Sequence, residues 1–422
     1  MITPDDLAAL TPTLASLGWD DDLERWAEAT RSGLASNSEE PDDTSDGPED
    51  SHQKAAPETI RGRLARVSRG FSVVFTGGDA VLAASSSARV DLDDEPATGD
   101  FVLITDDPAD GPAIAAVAPR RSALSRRAPG RVPTPQVLAA NIDVVLIMHG
   151  LDREINLRRL ERQLVVSWDS GAQPVIVLTK SDMISRAADP ASAAQAVDEL
   201  IAQVQTIAPG VEVVAVSTTE GVGLSQVSEF FRPNRTAALL GLSGVGKSTL
   251  VNAISNGMVQ LTGEVRANDR RGRHTTVTRD LIPLPDGGFM IDTPGVREIG
   301  LWQAERGMEL TFPEIAAAAA RCRFGNCEHD QEPGCEVQAG LANGSIPQRR
   351  VDHWRDLVAE LELQNTQLTD FARRSESRDR ADAEDARDNV RSNKRSKKRS
   401  GSSRSRGRSG KQSGGGPKHH RR

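Results

Sequence analysis

Gly241-Leu-Ser-Gly-Val-Gly-Lys-Ser248 fits the spacing G-x-x-x-x-G-K-[ST] without deviation. Glycines so placed let successive backbone N–H groups converge on phosphate oxygens, and the helix that follows adds a positive field at its N-terminus. The chemistry served is the grip on a nucleoside triphosphate. Lys247 brings a point charge to the β- and γ-phosphates, and the Ser248 hydroxyl ligates Mg²⁺. Leu242, Ser243, Gly244, Val245, Gly246 and Thr249 complete the candidate loop that Gly241 opens.

A second group reads the base. Thr179-Lys-Ser-Asp182 follows the apolar run Val175–Leu178. A carboxylate there can accept two hydrogen bonds from the N1–H and N2 amine of guanine. Adenine would face Asp182 with an acceptor and leave a buried carboxylate unpaired. Lys180 can lay its stem over the base, with Ser181 beside it, and Ser217-Thr218 can meet the guanine carbonyl with a backbone N–H. Asp292-Thr-Pro-Gly295 follows the apolar Phe289–Ile291. Asp292 can hold Mg²⁺ through water, and the Gly295 N–H can reach the γ-phosphate.

A third group binds metal. Cys322, Cys327, His329 and Cys335 have the spacing C-x₄-C-x-H-x₅-C and include all 3 cysteines of the chain. Three thiolates and an imidazole make a closed tetrahedral zinc site, structural rather than catalytic. Such a site stabilises a small module with little core of its own.

The elements that must position these groups are readable in outline. Five short apolar stretches follow Ile60, among them Phe71–Phe75 and Phe101–Ile104, and predict a small β-barrel. From Asp143 onward, buried strands (Val144–Ile147, Pro174–Leu178, Val211–Val216, Ala237–Leu240, Phe289–Ile291) alternate with helices at Leu157–Trp168, Ala188–Gln205 and Lys247–Ser255. That alternation predicts a mostly parallel α/β sheet. Pro313–Arg321 and Pro347–Phe371 read as helices. Leu7, Leu10, Leu14 and Leu17 have helical spacing near the start.

Composition bounds the function classes. The 422 residues carry 52 Lys+Arg and 60 Asp+Glu, a net charge of −8. That total averages unlike parts: residues 1–58 hold 15 acids and 3 bases, whereas residues 391–422 hold 13 bases and no acid. The tail suits nonspecific RNA contact, or pairing with the acidic head. Arg61, Arg63, Arg66 and Arg69 precede the barrel strands, and Arg120, Arg121, Arg126, Arg127 and Arg131 follow them. They read either as solvated strand ends or as a phosphate-contacting rim. With no Tyr, 9 Phe and 5 Trp, an RNA surface built on aromatic stacking is disfavoured. The absence of a bilayer-spanning run, of a signal peptide and of a disulfide framework points to a cytoplasmic protein without membrane association.

The order of the motifs is unusual, because Thr179–Asp182 and Ser217 precede Gly241. With Ala139-Ala-Asn-Ile-Asp143, Gly272-Arg-His-Thr-Thr276, Asp292-Thr-Pro-Gly-Val-Arg-Glu298 and the cysteine cluster, the chain resembles the ribosome small-subunit-dependent GTPase A family, from Leu17-Gly18-Trp19 and then from Ile60 to about Leu361. The resemblance implies a circularly permuted P-loop GTPase domain over 126–305, preceded by an OB-type barrel over 59–125 and followed by a zinc-binding helical domain over 306–372. Residues 1–58 would be a short helix and an acidic linker, and 373–422 a basic tail. It implies GTP and GDP as ligands, the small ribosomal subunit and its rRNA as partners, and subunit-stimulated hydrolysis in late maturation. The chain is expected to act as a monomer. An alternative is an rRNA-binding checkpoint in which hydrolysis only resets occupancy, and a metabolic P-loop ATPase is disfavoured by Asp182. Two departures stand out: Thr179 where Asn is commoner, and Trp354 where Tyr is expected.

Val296 occupies the position where Ras-like GTPases carry a water-orienting Gln, and a valine cannot do that work. His274 is the candidate to position water, since an imidazole accepts a proton near neutral pH. Thr275 or Thr276 would ligate Mg²⁺ in the GTP state. His274→Ala is expected to keep nucleotide affinity and abolish subunit-stimulated turnover; wild-type turnover in that variant would dismiss the assignment.

Overall fold

The computed structural model describes residues 13–36, 58–68, 70–78, 80–84, 95–107, 111–127, 135–185, 189–255, 279–285, 287–291, 301, 304–369 and 373. They fall in two units, Met1–Glu362 and Leu363–Arg422, the second described only at residues 363–369 and 373. None of the helices in the described residues is long and apolar enough to cross a membrane.

Helix α1 (Asp21–Ser36) precedes five strands: β1 (Thr59–Ser68), β2 (Phe71–Phe75), β3 (Ala80–Ala84), β4 (Phe101–Asp107) and β5 (Gly111–Val117). β1 pairs antiparallel with both β2 and β4, and Ala84 bridges to Ala113, so the sheet closes into a barrel in the order β1-β2-β3-β5-β4. Alternation along the strands turns Leu64, Val74, Val102, Ile104 and Ile114 inward, where all are fully buried. Leu23 of α1 packs on Phe101 and Ala118 outside the barrel, with the Trp19 ring edge-on to Phe101. A hairpin of β6 (Ala123–Arg127) and β7 (Pro135–Ala140) follows as a separate two-stranded sheet, so the boundary expected at 125/126 falls inside a strand.

The next strands are β8 (Val144–Gly150), β9 (Gln173–Thr179), β10 (Glu212–Val216), β11 (Thr236–Gly241), β12 (Leu281–Pro283) and β13 (Phe289–Ile291). They form one sheet in the order β10-β9-β8-β11-β13-β12, parallel except for the β12–β13 pair. Every residue of β8 is buried, as a central strand covered on both faces requires. Val145 and Ile147 face one core with Leu160 and Leu164 of α2 (Leu157–Asp169); Val144, Leu146 and Met148 face the other. Asn156 caps α2 by accepting from the Arg159 N–H at 3.0 Å. Among the described residues, the further α-helices of this domain are α3 (Asp182–Ser185), α4 (Pro190–Ile207), α5 (Leu224–Ser228) and α6 (Lys247–Ile254). α4 starts with Pro190 after the capping Asp189.

Helix α7 (Glu305–Thr311) packs against α2, and α8 (Pro313–Ala319), α9 (Glu336–Ala342) and a helix α10 beginning at residue 348 join the same core cluster. α7 comes so close to α2 that a Cβ on Gly307 would lie 2.2 Å from the Val165 carbonyl oxygen. A buried ion network joins the two sides. Glu161 of α2 accepts from Arg350 at 2.9 Å and from His353, while Arg350 also grips Glu314 and donates to the carbonyls of Ile207 and Thr311. Burial works against the Glu161 charge, but the bonds from His353 and Arg350 outweigh it and hold the carboxyl below its usual range. Arg158–Asp356 and Arg162–Glu360 extend the contact along α10.

Most of the described arginines around the barrel have partners within the chain, and two of them are buried. Arg61 pairs with Glu24, Arg120 with Asp100 and Arg121 with Asp20. Arg66 is buried against Asp280, and Arg63 is 1 % exposed. Arg63 donates to the carbonyls of Gly99 at 3.1 Å, Leu17 at 2.9 Å and Asn141 at 2.9 Å, between the rings of Phe101 and Phe289. Burial lowers its pKa to about 10, against the pull of Asp143 and Asp100, so it stays charged at neutral pH. Arg69 and Arg131 lie outside the described residues. One guanidinium therefore ties the N-terminal segment, the barrel and the α/β domain together. Arg63→Ala takes the donor from the buried carbonyls of Leu17 and Asn141, at roughly 1–3 kcal/mol each, while the Gly99 carbonyl keeps its bond from the Asn141 amide at 3.1 Å. The denaturant midpoint of the full chain should fall accordingly, and an unchanged midpoint would refute the role.

Candidate functional site

Parallel pairing brings the sequence-predicted groups to one edge of the sheet. Gly241 stands opposite Met148, Gly150 opposite Thr179, and Thr179 opposite Val216. The loops leaving β11, β9 and β10 therefore emerge side by side. These are the phosphate loop, Lys180–Asp182 and Ser217–Thr219.

Gly241 has to be glycine, since a Cβ there would lie 2.8 Å from the Met148 carbonyl oxygen. Gly246 caps α6 with φ +97, a left-handed conformation that L side chains rarely adopt. The Lys247 ammonium bends back across the loop and donates to the carbonyls of Gly241 at 2.7 Å and Leu242 at 2.9 Å. Ser248 and Thr249 follow on the first turn of α6, aimed by the same helix. A triphosphate laid in the loop meets the N-terminus of α6 and the lysine together.

Thr179 joins the two halves of the site. Its hydroxyl donates to the Val245 carbonyl at 2.6 Å, within the phosphate loop, with the His149 carbonyl 3.2 Å away. The shorter side chain in place of asparagine thus still reaches across to the neighbouring loop. Lys180 has φ +61, and its ammonium pairs with Asp152 at 2.9 Å, which sets the direction of its stem. Asp182 is buried and accepts from the Ser217 hydroxyl at 3.1 Å. The Ser181 N–H donates to the Val216 carbonyl, locking the loop to the end of β10. The Ser217 N–H donates to the Val222 carbonyl at 3.1 Å. His149 is buried with Nε2 2.9 Å from Gln163, and burial holds its pKa below the usual value.

His274, Thr275, Thr276, Asp292 and Gly295 lie outside the described residues. Sequence reading missed Asp152 as the partner of Lys180, and it missed the Glu161–Arg350–His353 network. Neither carries a motif; both depend on where separate elements meet.

Cys322, Cys327, His329 and Cys335 come together with their ligand atoms all within 4.8 Å of one another. Cys322 Sγ lies 4.0 Å from Cys335 Sγ, and each lies 3.5 Å from His329 Nδ1. A tetrahedron with Zn–S of about 2.3 Å has S···S edges near 3.8 Å, so the set fits that ion. His329 takes φ +60 to turn inward, its carbonyl accepting from Gln338 at 2.7 Å. The Trp354 ring packs 5.7 Å from the His329 ring, so an indole serves where a tyrosine was expected. Cys335 also caps α9. An ion held by these four groups would tie together the segment between α8 and α9.

Comparison with known proteins agrees with this geometry. The family model described as RsgA GTPase matches residues 117–302. A Streptomyces avermitilis protein named small ribosomal subunit biogenesis GTPase RsgA is 43% identical over 305 residues, covering 71% of this chain and 79% of that one. A Methanosarcina acetivorans protein of the same name is 38% identical over 307 residues, covering 72% and 80%. Among solved structures, YjeQ from Thermotoga maritima aligns with a TM-score of 0.53 at 25% identity, over 72% of this chain and 99% of that one.

The four-ligand cluster predicts one zinc per chain by elemental analysis. Cys335→Ser should lose that metal and expose the segment between α8 and α9 to protease. Stoichiometric zinc in the variant would be inconsistent with the assignment.

Proposed function

The chain belongs to the RsgA GTPase family, and from that premise we propose that it binds the small ribosomal subunit and acts in its late maturation, hydrolysing GTP to GDP with turnover raised by the subunit. The observation that carries this reading is the meeting of the phosphate loop with Asp182 at one sheet edge, bridged by the Thr179 hydroxyl to Val245. Gly241–Thr249 takes the phosphates, Asp182 pairs with the N1–H and N2 amine of guanine, and the Thr218 N–H meets its carbonyl. Lys180 and Ser181 flank the base, and Ser217 holds Asp182 in place.

Mg²⁺ would be held by Ser248, with Thr275 or Thr276 and Asp292 completing its shell, and Gly295 would reach the γ-phosphate. The ion supplies charge neutralisation between β- and γ-phosphate oxygens when bound. His274 positions the attacking water. The closed five-stranded barrel is read as OB-type, supported by β1 pairing with both β2 and β4. The Cys₃His cluster is read as structural zinc, supported by its donor spacing.

Three domains are proposed as the barrel, the α/β domain and the helical module, with the limits expected at 125/126 and 305/306 moved off β6 and α7, which they would cut. Turnover of GTP and of ATP by the full chain, with and without small subunits, tests the reading. GTP hydrolysis is expected to rise on adding subunits while ATP is ignored. Equal use of both nucleotides, or no response to subunits, would overturn it.

A further inference from the structure

The turn that leaves β8 is a further loop at the nucleotide edge, and it is fastened to the base-reading loop by backbone and side chain. Gly150 stands opposite Thr179 in the sheet. The Leu151 N–H donates to the Thr179 carbonyl at 2.9 Å. The Lys180 ammonium lies 2.9 Å from Asp152 Oδ2, an oxygen that also accepts from Arg153 at 3.2 Å. Those two bonds hold the Asp152 carboxyl below the usual carboxylate range, so it is ionised at neutral pH. Gly150 makes the arrangement possible. A Cβ there would lie 2.4 Å from Asp152 Oδ1 and 3.7 Å from Lys180 Cδ. The carboxylate and the lysine stem both rest over the space that the missing side chain leaves.

Lys180 itself is held in a conformation that a non-glycine residue seldom adopts, with φ +61. Bonds on either side enforce it: the Ser181 N–H donates to the Val216 carbonyl at 3.1 Å, and the Met183 N–H to the Lys180 carbonyl at 3.0 Å. The lysine stem is long and flexible, and immobilising such a chain carries a large entropic cost. With its ammonium pinned in the free protein, a base arriving on the stem does not bear that cost. The two side chains are 31% and 24% exposed. A pair this exposed contributes little to stability by itself, so its worth lies in where it puts the stem.

We infer that Asp152 is a positioning residue for nucleotide binding, which from its cradle over Gly150 holds the Lys180 stem where it meets a purine base. This rests on the reading of the site given above and deepens it. The base site gains a wall from the turn after β8, where the sequence carries no guanine motif. A stem that stacks meets the face of a purine and is blind to its edge, whereas Asp182 reads the edge. Asp152 therefore governs how tightly purine nucleotides bind and leaves the choice among them to Asp182.

The competing role for the same contacts is an ion pair that steadies the turn and has no bearing on the ligand. The test uses the full chain. Asp152→Ala removes the carboxylate. Gly150→Ala leaves every charge in place and puts a methyl where the carboxylate rests, against a flexible side chain rather than backbone. Lys180→Met keeps the apolar stem without the ammonium, alone and combined with Asp152→Ala. Dissociation constants for GDP and for inosine diphosphate, which lacks the N2 amine, are measured alongside kcat at saturating GTP and the melting temperature. Asp152→Ala and Gly150→Ala are expected to weaken both diphosphates by the same factor, about 2- to 30-fold, the worth of a cationic side chain laid over an aromatic face. kcat should stay unchanged, and Asp152→Ala should add nothing in the Lys180→Met background. Wild-type affinity in both Asp152→Ala and Gly150→Ala, whatever their melting temperatures, would overturn the inference. So would a further loss from Asp152→Ala in the Lys180→Met background, or a loss for GDP alone. Wild-type protein that binds GDP but ignores small subunits would instead overturn the proposed function, and the affinities would still decide the role of Asp152.

Discussion

The nucleotide edge rests on one constraint, the shared register of four parallel strands. Gly150, Thr179 and Val216 end their strands level with one another, and Gly241 ends β11 two residues short of that line, so three loops of distant sequence emerge into one volume. A one-residue slip of β9 would turn Thr179 and its neighbours to the opposite faces of the sheet and break the reach to Val245. Register is indifferent to the order in which strands are joined. That is why the loops after β9 and β10 can precede the loop after β11 in sequence and still meet it at one edge.

Around that sheet the modules are held by buried charge as much as by apolar packing. Arg63 ties three segments through carbonyl oxygens alone, and Arg350 ties the helical module to α2 through Glu161 while it grips Glu314 within the module. Such contacts are unforgiving, because removing one partner leaves the other desolvated and unpaired. They also specify direction. Apolar faces tolerate rotation and slip, whereas a guanidinium in a cage of oxygens accepts one orientation. The modules are thereby fixed in angle as well as proximity, which a chain that must relate a barrel, a nucleotide and a metal cluster requires.

Much of this was legible in the chain. The phosphate loop, the buried runs at Val144–Ile147 and Pro174–Leu178 and the cysteine spacing each encode local geometry, and local geometry is what residue order carries best. The arginines were not legible. Arg63 and Arg66 sit in a strand where alternation is ambiguous, and their partners are backbone carbonyls or an aspartate 214 residues away. Charge in a sequence reads as surface unless the partner is known. β12, three residues long, is too short for any period to register, and the β6–β7 hairpin lay across an expected domain boundary. Thr179 stood out as a departure from the commoner Asn, and its partner, the Val245 carbonyl, is 66 residues away in sequence. The backbone of β9 brings the hydroxyl close enough to serve.

The place of β8 in the sheet has a consequence for how the chain is born. β8 is flanked by β9 on one side and β11 on the other. β9 is made soon after it, but β11 begins only at Thr236. At synthesis rates of about 5–20 residues per second, the far edge of β8 waits roughly 4–17 s for its partner. Through that interval a nascent chain carries an apolar strand with one row of backbone donors and acceptors unpaired, the kind of edge that recruits other strands. In the unpermuted order the phosphate-loop strand is made first and is ready when the β8 equivalent emerges. The permutation that leaves the finished site unchanged therefore moves its hazard into translation, and makes the growing chain more dependent on chaperones than the folded protein.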